Sequence, residues 1–259
     1  MIRTSFRAIG TAISCVLLII SADRIASAAE IKLLIAVALQ PGIAGLILEF
    51  EKSTRNKVTV TYGTAGALTD RLQKGEVADV AIVSGPQIED LQKQGKVIAG
   101  SRVDIAKVGV GAFARKGTAK PDISSADAFK RSLLAAKSIV YPDPAGGGAS
   151  GIYLAGLLDR LGIAAEMKPK TRLLPPGPPL YESVANGEID IGFNQISEIL
   201  AQPSVEFLGP LPPAIQNYTL FAAGIGAASS QADVGKALIA VLSSPAAAGV
   251  LKAKGFEIR

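Results

Sequence analysis

From residue 31 onward the chain alternates between short apolar runs and helical stripes, and this alternation constrains the fold more than any other feature. Residues 31–38 form an apolar run that ends at a loop, as in a strand buried in a parallel sheet. Pro41 suits a first helical position. Ile43, Leu46, Ile47 and Phe50 then share one helical face, with Glu49, Glu51 and Lys52 off it. Val58, Val60 and Tyr62 alternate with Thr59 and Thr61, the period of a strand. The same rhythm predicts helices over 63–74 and 86–96 and a strand over 79–84. Further on it predicts strands over 108–113, 138–141, 189–193 and 219–225. Ser124-Ser125-Ala126-Asp127 caps a helix running through Ala136, helices follow over 151–161 and 181–186, and Ser230 caps a closing helix. No internal repeat is visible. Strands and helices in alternation predict an α/β architecture with mainly parallel sheets. Ligands of such sheets bind beyond the carboxyl ends of the strands. That singles out the loops 39–41, 64–66, 84–86 and 143–151. Most of them precede a helix, whose free N–H groups and partial positive charge suit an anion.

The 259 residues suffice for two modest lobes or one large domain. Residues 1–28 read as a signal peptide, with Arg3 and Arg7 ahead of an apolar stretch over 8–20 and Ala26-Ser27-Ala28 as the cleavage pattern. The stretch is shorter than the roughly 20 residues that span a bilayer. An exported, periplasmic protein is therefore expected. The lone cysteine, Cys15, lies inside the leader, and the chain has no histidine. Disulfides, thiol or imidazole nucleophiles and thiolate or imidazole zinc sites are thereby excluded from the mature chain, and no metal or cofactor is expected. Removing the leader's Arg3, Arg7, Arg24 and Asp23 changes 27 basic and 22 acidic residues to 24 and 21, a net charge of +3. With no basic cluster and only 5% aromatic residues, without tryptophan, nucleic acid is not an expected partner.

The stretch from Pro142 to Gly151, PDPAGGGASG, matches G-x-G-x-x-G within it. A dinucleotide site would also need an acidic residue at a strand end about 20 positions later, and none is well placed. Two readings remain: a wall of a ligand cleft, where glycines let the backbone approach, or a plain surface loop.

In order along the chain, LLIAVALQPGIAGLILEFEK, VTVTYGTAGALTDRLQKGEVADVAIVSG, SIVYPDPAGGGASGIYLAGLLDRLGI and NGEIDIGFNQ resemble successive blocks of the periplasmic molybdate-binding proteins. The resemblance spans the mature chain. It implies the type II periplasmic binding protein architecture: two α/β lobes, residues 29–111 with 212–259 and residues 112–211, around a central ligand cleft. It also implies hinge closure on a small anionic ligand, a monomer, and delivery to an ABC transporter.

The family's oxyanion contacts fall on particular positions. A serine after the first strand corresponds to Ala38, followed by Leu39 and Gln40. A second serine corresponds to Ala65, beside Thr64, and Ser84 lies in the next strand-end loop. Backbone N–H donors fall on Ser150, near Gly148, and on Gly177, the one residue of 175–179 with an N–H to give. A tyrosine corresponds to Gln195, next to Asn194. All three side-chain hydroxyls are thus missing from their places. A hydrogen bond to a charged group is worth about 1.5–3 kcal/mol, so two lost bonds cost roughly 3–6 kcal/mol, or about 10²- to 10⁴-fold in affinity.

The expected function is solute capture, with an organic carboxylate favoured over molybdate. The alternative is isomerisation of an unsaturated tricarboxylate such as aconitate, an activity known on this fold. Asp143, Tyr62 and Glu198 are then the nearest acid–base candidates. Each also has a plainer role: Asp143 as a loop cap, Tyr62 as a core-facing strand residue, Glu198 as an exposed helix start. Gln216 and Tyr218 either face the cleft or belong to a hinge segment.

Overall fold

A computed structural model describes residues 28–258. The leader expected from the sequence lies, but for Ala28, outside the described residues. Strand β1 (Glu30–Ala36) ends in a 3-10 turn (Val37–Leu39) that runs directly into helix α1 (Gln40–Thr54). Pro41 occupies the first turn of α1, and Ile43, Leu46, Ile47 and Phe50 are its buried stripe. Next come β2 (Lys57–Gly63), α2 (Ala65–Gln73), β3 (Val80–Ser84) and α3 (Gly85–Lys93). β1 pairs in parallel with both β2 and β3.

The thirteen-residue strand β4 (Val103–Arg115) then leaves this half for the other. The second half comprises α4 (Ala126–Ala135), β5 (Ile139–Pro142), α5 (Ala149–Arg160), α6 (Ala164–Met167), β6 (Thr171–Leu174), α7 (Pro178–Ala185), β7 (Ile191–Gln195), α8 (Ile196–Leu200) and β8 (Val205–Pro210). The chain returns through β9 (Tyr218–Ile225) and closes with α9 (Ala232–Leu242) and α10 (Pro245–Ala253).

The strands form one path, β2-β1-β3-β9-β4-β7-β5-β6, with β8 added on β4. Within each half the ladders are parallel: β1 with β2 and β3, β5 with β6 and β7. Every antiparallel ladder involves β4 or β9, the strands at the crossings. β4 pairs with β9 along Val103–Gly109, then with β7 and β8 from Val110 onward. The buried side chains divide at the same place. One core draws on residues 31–108 and 221–256. Two others draw on residues 110–211, and Phe129–Phe193 and Phe113–Tyr181 ring contacts sit inside them. Each fully buried large apolar side chain contributes about 1.5–3 kcal/mol, so each half has a hydrophobic core of its own.

Two details differ from the sequence expectation. β4 starts five residues earlier than the run 108–113 suggested. The closing helix is two helices, meeting at 58° across Ser243 and Ser244. Pro245 cannot continue α9, and the Ser244 hydroxyl caps α10 by accepting from Ala247 N.

Candidate functional site

The carboxyl ends of β1, β2, β3, β5 and β7 deliver the sequence-predicted residues. After β1, Ala38 and Leu39 are buried and Gln40 is exposed at the first position of α1. Leu39 is part of the first core. The Ala38 carbonyl accepts a hydrogen bond from Ser197 Oγ at 2.7 Å, tying the end of β1 to α8 of the second half.

After β2, Thr64 caps α2: its Oγ1 accepts from Ala67 N at 3.2 Å and donates to the carbonyl of Gly146. Gly66 N donates to Gly147 O at 3.1 Å. The start of α2 therefore grips the glycine loop of the other half with groups the sequence reading assigned to an anion. Only glycine permits this approach. A Cβ on Gly66 would stand 2.7 Å from Gly147 Cα, and one on Gly147 would stand 2.8 Å from Gly66 Cα. Gly147 also has φ +71°, in the left-handed region. Gly151 serves the second half itself, since a Cβ there would meet Pro142 O at 2.0 Å. The glycine run is thus neither a nucleotide loop nor a plain surface loop. It is the contact between halves and the joint between β5 and α5.

Behind the loop lies a buried polar cluster. Ser150 Oγ donates to Asn194 Oδ1 at 2.8 Å, and Gln195 N donates to the same oxygen at 2.8 Å. Asn194 Nδ2 donates to Tyr181 OH at 2.9 Å. Burial pushes the Tyr181 phenol well above its ordinary range. Gln195 Nε2 donates to Thr219 Oγ1 at 3.1 Å. Gln195 is 3% exposed, and its Oε1 has no hydrogen-bond partner among the described residues. Glu198 is not the exposed helix start expected from sequence. It sits within α8, partly buried, and burial raises its carboxyl to about 7, with the Asn194 amide pulling the other way.

A cavity of about 470 Å³ is lined from both halves: Ser84, Pro86 and Arg102 on one side, Ala149 on the other, Tyr218 and Thr219 at the crossing. Ser84 Oγ donates to Gln87 Oε1 at 2.7 Å, which fixes the first turn of α3. A second cavity, about 480 Å³, lies elsewhere along Arg115, Lys120, Ser132 and Asp190, and no sequence-predicted residue lines it.

The structure thus brings Thr64, Ala65 and Gly148 to one contact, Ser150, Asn194 and Gln195 to one cluster, and Ser84 to the cavity beside them. Gly177 lines neither cavity. It precedes α7 with φ 121°, and its carbonyl accepts from Leu180 N at 3.2 Å. Asp143 accepts from Ala145 N at 2.9 Å, as a loop cap does. Tyr62 packs on the first core. Gln216 is a brace, with its amide bonded to both N and O of Val110. Arg102, Tyr181 and Thr219 escaped the sequence reading, because no spacing linked them to the strand-end loops. Among the described residues no group of three or more Asp, Glu, His or Cys could hold a metal ion.

A family model described as bacterial extracellular solute-binding protein matches residues 31–257. The chain is 34% identical over 226 residues to an aconitate isomerase of a Pseudomonas species, covering 83% of this chain and 84% of that one. It is 26% identical over 244 residues to the molybdate-binding protein ModA of Azotobacter vinelandii, covering 90% and 92%. The structure of the Azotobacter vinelandii periplasmic molybdate-binding protein aligns with a TM-score of 0.73 at 20% identity, over 88% of this chain and 99% of that chain.

Proposed function

The chain belongs to the bacterial extracellular solute-binding protein family, and from that premise we propose that it captures a small organic carboxylate in the periplasm between two hinged lobes. Lobe one is residues 29–111 with 212–259, and lobe two is residues 112–211. The observation that carries this reading is the cavity shared by Ser84, Ala149 and Thr219, which reaches about 470 Å³ beside Gln195, one of the positions without the molybdate-type hydroxyl. That volume lies in the usual range for organic ligands. The ligand is held by backbone N–H groups near Ser150 and by the Gln195 and Thr219 side chains. No metal takes part in this scheme. The captured solute is passed to an ABC transporter, and the protein works as a monomer.

A second reading is favoured by the 34% identity to the aconitate isomerase. Interconverting the aconitates removes a proton from the methylene beside one carboxylate, shifts the double bond, and returns a proton at the far end of the same three-carbon unit. Of the three acid–base candidates, Glu198 is the one whose burial lifts its pKa to about 7, where a carboxyl can both take and give a proton.

Titration calorimetry with molybdate, tungstate, acetate, tricarballylate and trans-aconitate tests the capture reading. Micromolar or tighter binding of a polycarboxylate, with no comparable molybdate binding, is expected. Sub-micromolar molybdate binding overturns it. Following cis- and trans-aconitate in the same samples decides between capture and turnover, and turnover that survives Glu198→Gln removes Glu198 from the chemistry.

A further inference from the structure

Arg102 lies between α3 and β4, at the edge of the shared cavity. Its Nε and Nη2 donate to Asp104 Oδ1 at 2.9 and 2.8 Å, and its Nη1 donates to Glu89. A guanidinium has five N–H groups, so two remain. The group lies against the first residue of α3: a Cβ on Gly85 would stand 2.9 Å from Nη2. Pro86 has no N–H, and the Ser84 hydroxyl is committed to Gln87. Ser84 and Pro86, at the positive end of this helix, line the cavity beside the guanidinium.

A second, independent feature points into the same space. Thr219 lines the cavity and accepts from Gln195 Nε2, so its own hydroxyl proton remains to be given. The other end of that amide, at a residue 3% exposed, has no partner among the described residues. That end is an oxygen, an acceptor, so the donor this pair offers a carboxylate is the Thr219 hydroxyl.

The two carboxylates on Arg102 are not equivalent. The side chains of Arg102 and Asp104 are 26% and 22% exposed, whereas that of Glu89 is 51% exposed. Asp104 fixes the guanidinium. The Glu89 arm is screened by solvent and held weakly. On the opposite wall Ala149 is the first residue of α5, between Gly148 and Ser150.

We propose that Arg102, the first turn of α3 and the Thr219–Gln195 pair form a second carboxylate subsite at the mouth of the cleft. Glu89 occupies it in the free protein and a ligand carboxylate displaces it. The ligand is then an elongated di- or tricarboxylate whose other carboxylate sits at the start of α5. This rests on the reading of the cleft as a carboxylate site, and it goes further by assigning the length of the acid and the group that competes with it.

Calorimetry on the full mature protein with tricarballylate and with acetate tests it, using wild type, Glu89→Gln and Arg102→Gln. Glu89→Gln removes the competitor and is expected to raise tricarballylate affinity three- to tenfold, widening its preference over acetate. Arg102→Gln is expected to lower tricarballylate affinity at least tenfold and to narrow that preference. Thermal melts of both variants, together with Arg102→Lys, separate misfolding from lost recognition. Unchanged or weaker tricarballylate binding by Glu89→Gln overturns the subsite even if the wild type binds acids well. Binding of neither acid by the wild type overturns the carboxylate reading itself, and the subsite with it.

Discussion

Glu198 places an ionisable carboxyl beside Asn194 and Tyr181, and burial rather than a charged neighbour raises it to about 7. Its protonated form is favoured in the fold, so between about 4.5 and 7 the native state binds more protons than the unfolded chain. Stability is therefore fullest below this window and falls as pH rises through it, by about 3 kcal/mol at most. Glu198→Gln keeps the shape without the proton. Its melting temperature is expected to lose most of the wild-type decline between pH 5 and 8 and to exceed the wild type at pH 8; an identical pH profile would refute the account. The sequence could name Glu198 but not its surroundings. Its neighbours Asn194 and Tyr181 arrive from other elements, and no local pattern encodes their convergence. The same holds for Arg102 and Thr219. The glycines were legible as a close approach of backbone, but not as an approach to Gly66 of the other half.

At the scale of elements, β4 is the strand that all three cores share. Between its pairing with Pro210 at Gly111 and with Tyr218 at Gly109, one edge of Val110 lacks a strand partner. The Gln216 amide fills that gap, accepting from Val110 N at 2.9 Å and donating to Val110 O at 2.9 Å. It acts as a substitute peptide group at the crossing. Val110 is wholly buried and its carbonyl also accepts from Leu211 N at 3.1 Å, so Gln216→Ala leaves one backbone N–H without a partner, at about 1–3 kcal/mol. A loss of about 1–3 kcal/mol in urea unfolding is expected, and a loss under about 0.5 kcal/mol would show that the brace is dispensable. Helices with a full apolar stripe, such as α1, were legible from sequence, as were strands with strong alternation, such as β2. β6, α8 and β8 were not. They are four to six residues long, too short for a period to emerge, and their pairing partners lie far away in sequence.

At the scale of the molecule, the halves meet at Thr64 and Gly66 on Gly146 and Gly147, at Ser197 on Ala38, at Gln195 on Thr219, and at Ile196, which packs on the first core. The contact of Gly66 with Gly147 can open by rotation about the crossings. Gly147→Val places a side chain at φ +71° against Gly66. Because the clash lies between cores, the variant is expected to keep its fold by circular dichroism. It is expected to bind the polycarboxylate found by calorimetry at least tenfold more weakly, and to show a larger radius of gyration with ligand in X-ray scattering. Wild-type affinity would exclude this contact from closure. The sequence by itself determined the architecture, because apolar period and chain order fix which segments become strands or helices and which strand ends become loops. It also determined that the chain has no imidazole and one thiol, Cys15, which lies outside the described residues. Only the tertiary structure decided the partners: which N–H groups are already spent between halves, which carboxyl burial raises, and where a guanidinium meets the cleft. Hydrogen bonds and desolvation depend on distances of a few ångströms between residues far apart in the chain, and those distances exist only once both cores have formed.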